Sequence, residues 1–103
     1  MDNKKIAKEI LGLAKEITAA EGNLNPKIVV AALESKTGLR MQIVADRKGP
    51  VTGTRSIEVM VSTPTHVKLF SFGMSVYQGE GEWRVGSMGM MEMKDLQKII
   101  DTI

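Results

Sequence analysis

At 103 residues, 43% apolar and 25% charged, the chain has room for one compact core and lacks the composition of a disordered or fibrous protein. With no cysteine, it excludes disulfides, thiolate nucleophiles, zinc–cysteine sites and iron–sulfur clusters. The formal charge of +2 is unevenly spread, nine basic against six acidic side chains in residues 1–53 and five against six in residues 54–103, a balance that permits nucleic-acid contact without requiring it.

Ile6, Ile10, Leu13 and Ile17 recur at helical spacing, with Ala7, Leu11 and Ala14 beside them and Lys5, Lys8, Glu9, Lys15 and Glu16 on the opposite side. Asp2 stands where a cap belongs and Gly22 where a left-handed residue would end the helix, so the pattern predicts a helix over 3–21. A second helix is predicted from Asn25, its cap, to Gly38, its stop. Pro26 falls at the first helical position, where a missing N–H does no harm. Ile28, Val29, Ala32 and Leu33 would bury that helix, and Leu39 would pack just beyond the glycine. The short turn between the two makes an αα-hairpin.

From residue 40 the period falls to two. Met41, Ile43 and Ala45 alternate with Gln42, Val44 and Asp46, and Ile57, Val59 and Val61 alternate with Glu58, Met60 and Ser62. After a turn at Pro64, a third strand from Val67 to Tyr77 sets Phe70, Phe72, Met74 and Val76 against Leu69, Ser71, Gly73 and Ser75, with Gly73 marking a bulge. A fourth strand follows in EWRVGS. Met93, Leu96, Ile100 and Ile103 then return to helical spacing. The expected fold is a single α+β domain over 1–103, with an N-terminal αα-hairpin, a four-stranded antiparallel meander and a C-terminal helix packed on one sheet face.

Four of the eight methionines, Met88, Met90, Met91 and Met93, fall where the last strand gives way to the last helix. Thioethers select Cu(I), and a methionine cluster can serve as a partner-docking surface, but methionine also fills gaps between elements of different geometry, and no histidine stands nearby. Packing is the expected role, and no metal or cofactor site is expected.

Catalysis has little support. His66 is the one histidine and sits beside a turn, and Glu80 and Glu82 flank a glycine. The longest apolar run, Ile28–Leu33, is far short of a membrane span, and the charged N-terminus has no apolar signal core. A cytoplasmic protein without a membrane partner is expected.

Three resemblances carry functional implications. VKLFSFGMSVY resembles the basic and aromatic central strand of the RNA-recognition motif, which implies base stacking by Phe70 and Phe72 beside Lys68; the order of elements departs from that family, and the alternative is that both rings form the core face. The size and α/β mix are loosely similar to ribonuclease toxins of the RelE type, without their leading strand or strongly basic balance. KKIAKEILGLAKEI resembles the N-terminal helix of small, functionally unassigned proteins of tailed phages and marine viruses, which implies an accessory or virion role.

The first functional expectation is a non-enzymatic interaction protein that associates with itself through an uncovered sheet face bearing Met60 and Leu69. The alternative is a weak nucleic-acid-binding module using the hairpin loop DRKGPVTGTR, with Arg47, Lys48 and Arg55 joined by Lys68 and Arg84. A small ribonuclease-like enzyme ranks third.

Overall fold

Why the chain bends where it does is visible in its caps. A computed structural model describes residues 2–21, 25–48, 53–79, 82–84 and 94–102. Helix α1 spans Asn3–Glu21, and its first turn is closed by Asp2, whose Oδ1 accepts from the backbone N–H groups of Lys4 at 3.0 Å and Lys5 at 3.3 Å. Helix α2 spans Pro26–Thr37; the Asn25 side chain accepts from the Lys27 N–H at 2.9 Å. It ends at Gly38, whose φ of 72° is the left-handed conformation that glycine adopts without steric cost. The Gly38 N–H donates to the Glu34 carbonyl at 2.9 Å, satisfying one of the orphan carbonyls of the last turn.

Three long antiparallel strands follow: β1 (Arg40–Lys48), β2 (Thr54–Ser62) and β3 (Lys68–Gly79). A three-residue segment, β4 (Glu82–Arg84), pairs with Gly79, Gln78 and Tyr77 of β3. Helix α3 closes the described chain at Lys94–Thr102. The turn between β2 and β3 is tied by Thr63, whose N–H donates to the Val67 carbonyl and whose hydroxyl accepts from the Val67 N–H at 3.0 Å. His66 completes it at φ 70°, a left-handed conformation that is uncommon outside glycine.

The three described helices cover the same face of the sheet. Helix α2 lies against β1, α3 lies against β3, and α1 touches both helices. Ala7, Ile10 and Ala14 of α1, Val29 and Leu33 of α2, Val59 and Val61 of β2, Phe72 of β3 and Leu96 of α3 are all fully buried in one cluster. Burying Phe72 and the aliphatic side chains around it contributes about 1.5–3 kcal/mol each, which makes this shared face the main source of stability. Thr18 is buried in α1 without loss because its hydroxyl donates to the Ala14 carbonyl at 3.0 Å.

Two departures from simple alternation matter. The pairing slips between Ile43 and Ala45, leaving Val44 as an extra residue; Ala45 then opposes Glu58, and Asp46 opposes Ile57 on the helix side. A second slip occurs beyond Val61, where Phe70 opposes Val61 but Lys68 opposes Ser62, leaving Leu69 as the extra residue. Gly73, expected at a bulge, pairs in regular register with Glu58. The methionine segment 88–93, Gly22 and the loop 49–52 lie outside the described residues. No described helix is long and apolar enough to cross a membrane.

Candidate functional site

With the helices on one side, function has the opposite face of the sheet to work with. Cross-strand partners share a face, so the register reads it out row by row. Arg40, Ser62 and Lys68 form the first row, and Gln42, Met60 and Ser71 the second. Ala45, Glu58 and Gly73 form the third, and Arg47, Ser56 and Ser75 the fourth. Apart from Met60 and Glu58, the positions on β2 and β3 in these rows are small or hydroxylated, Lys68 at the end excepted, which makes a flat surface. Met60, Ser71, Gly73 and Ser75 are only half-buried, since no element of the described chain lies over them.

The register divides the basic residues singled out by sequence. Arg47 and Lys68 lie on the uncovered face, in different rows. Lys48 and Arg55 oppose each other, and Arg55 also opposes buried Val76, so both belong to the helix side. Arg55 donates from Nε to Asp46 Oδ1 at 2.6 Å, an ion pair that is about one-third to one-half exposed, and it borders Asn25 and Pro26 at the start of α2. Arg84 pairs through its backbone with Tyr77, itself opposite Thr54, so its backbone falls in the row next to that of Arg47 on the uncovered side. The structure therefore does not gather Arg47, Lys48, Arg55, Lys68 and Arg84 into one patch.

The interface pair is divided as well. Met60 is on the uncovered face, whereas the bulge takes Leu69 out of alternation, and Leu69 packs against the core cluster. The Leu69 carbonyl accepts from Asn3 Nδ2 at 3.3 Å, which fastens the bulge to the start of α1. Phe72 is fully buried and Phe70 packs against the same core, so neither ring is offered to a base, and the likeness to the RNA-recognition motif stops at the sequence.

Sequence reading missed a different grouping. Arg40, Ser62, His66 and Lys68 border one hollow of about 420 Å³ at the end of the uncovered face, with Met60 and Glu34 on its walls. Glu34 is held there by a hydrogen bond, its Oε2 accepting from the Met41 N–H at 3.0 Å. Among the described residues, neither Arg40 nor Lys68 has an ion-pair partner. Arg40 and Lys68 are far apart in the chain and become neighbours of Ser62 only through the bulge, so residue spacing carried no sign of them. No known family model, curated protein or solved structure matches the chain.

Proposed function

We propose that this chain is a non-enzymatic interaction protein that pairs with a second copy of itself through the uncovered sheet face. In this reading the scaffold is an αα-hairpin and a C-terminal helix over a four-stranded meander, and a second sheet supplies the missing layer. The observation that carries the proposal is the placement of Met60 and Glu58 among small residues, with all the described helices on the other side. Glu58, flanked by Ala45 and Gly73, stands one row from Arg47. A two-fold axis between these rows brings each Glu58 to the partner's Arg47, an isologous contact that satisfies both charges.

Magnitude sets the strength. Three strands about 4.8 Å apart and eight residues long present roughly 400 Å². A standard stable interface buries about 800 Å² per partner, so the expected dimer is weak, with a Kd on the order of micromolar or above. Sedimentation velocity across a concentration series tests this. The expected result is a mass that rises from monomer toward dimer, and Met60→Asp holds the chain monomeric with an unchanged circular-dichroism spectrum. A wild-type chain that stays monomeric at high concentration overturns the proposal.

The second reading is a nucleic-acid-binding module. It is favoured by Arg40, Arg47 and Lys68 sharing the uncovered face without an ion pair among the described residues. It predicts oligonucleotide affinity that falls steeply with salt, because each neutralised phosphate releases counterions. The same titration on Arg47→Ala checks whether the face, rather than net charge, is responsible.

A further inference from the structure

The hollow at the end of the uncovered face has a construction of its own, although it shares Met60 with the face proposed for self-association. Three exposed basic-type residues border it from three separate places: Arg40 begins β1, His66 ends a turn, and Lys68 begins β3. Ser62 lies between Arg40 and Lys68 in the register and contributes a hydroxyl. Regular pairing would set Leu69 opposite Ser62; the bulge replaces it with Lys68. His66 is the one described non-glycine residue with a positive φ. Both irregularities of this turn and strand start therefore deliver a nitrogen-bearing side chain to the same hollow, and bulges and strained residues concentrate where a side chain must be aimed.

The charge is right for an anion. Two cations face one carboxylate, and that carboxylate, Glu34, already accepts the Met41 N–H. That hydrogen bond also keeps Glu34 against the start of β1 rather than pairing with Arg40. A guanidinium fork, an ammonium and a hydroxyl match the tetrahedral oxygens of phosphate, the arginine by bidentate donation and the lysine as a point charge.

We propose that Arg40, Ser62, His66 and Lys68 form a binding site for the phosphate group of a small phosphomonoester. The hollow's 420 Å³ falls within the size of small-molecule sites, and Met60 on its wall offers an apolar contact to the organic part. A nucleic-acid backbone is disfavoured as the occupant. Its track from this end toward Arg47 would cross Glu58 in the middle of the face.

Nitrogen-15 amide NMR, with inorganic phosphate, glucose 6-phosphate and a single-stranded 12-mer as probes, tests the site. Glucose 6-phosphate should give saturable shifts at Arg40, Ser62, His66 and Lys68, tighter than inorganic phosphate. Arg40→Gln and Lys68→Gln should each weaken it at least fivefold, with unchanged spectra elsewhere, while Arg47→Gln leaves it within twofold. The proposal is overturned by shifts that do not saturate, or by an equal loss in Arg47→Gln, which marks diffuse electrostatics. Tighter binding of the 12-mer, with shifts running to Arg47, also overturns it and assigns the face to nucleic acid. Dimerisation is read separately from mass, so failure of the site and failure of the self-association proposal cannot be confused.

Discussion

Two left-handed residues show how one side chain can be tuned to its backbone. Gly38 ends α2 at φ 72°, and a Cβ added there meets nothing within 4 Å. The cost of Gly38→Ala is therefore backbone strain alone, about 1 kcal/mol, and should lower the melting temperature by about 4–8 °C for a domain of this size. His66 occupies the same region at φ 70°. His66→Asn should leave stability within about 0.5 kcal/mol, since asparagine tolerates this conformation. His66→Val should lose about 1–2 kcal/mol, because a β-branched residue does not. Urea unfolding of both variants checks the pair, and equal stability would mean the turn relaxes out of the left-handed region. Asn25 belongs to the same scale: removing its cap in Asn25→Ala should cost about 1 kcal/mol.

At the level of elements, helices were more legible than sheet registers. Asp2, Asn25, Pro26 and Gly38 are local signals, each acting on N–H or carbonyl groups a few residues away; α1 begins, and α2 begins and ends, where those residues place them. The alternation of β2 and β3 likewise showed Val59, Val61, Phe72 and Met74 as one buried face. Bulges are different, because they depend on what the neighbouring strand does. Nothing near Val44 or Leu69 in the chain marks an extra residue, while Gly73, which has the right residue type, pairs regularly. Each slip moves side chains between faces, so the sites changed more than the fold: Asp46 joined Arg55 on the helix side, and Leu69 left Met60 for the core. The same difference gives a paired test. Leu69→Asp places a charge against apolar neighbours and should destabilise by about 1–3 kcal/mol with no specific effect on mass. Met60→Asp should change mass with little effect on unfolding. If Leu69→Asp instead yields a stable monomer, the bulge does not persist in solution.

The described elements form two layers with unequal faces. Within the four rows that run from β1 to β3 on the uncovered face, Glu58 is the one carboxylate, and it lies between cationic ends formed by Arg40 and Lys68 on one side and Arg47 on the other. In the proposed dimer, two copies placed face to face would repel unless the rows were offset by one, so that Glu58 would meet the partner's Arg47 twice. Each such pair, partly desolvated, is worth about 0.2–1 kcal/mol, whereas like charges forced together cost several. Reversal in one position should therefore be severe and reversal in both mild. Glu58→Arg sets two cations against each other at both symmetry-related contacts and should abolish the dimer, and Arg47→Glu should do the same with two anions. The double variant Glu58→Arg with Arg47→Glu restores opposite signs at both contacts and should return to within about tenfold of the wild-type Kd. Sedimentation of the three variants decides it, because a face joined only by Met60 and small residues would lose little in either single variant and gain nothing in the double.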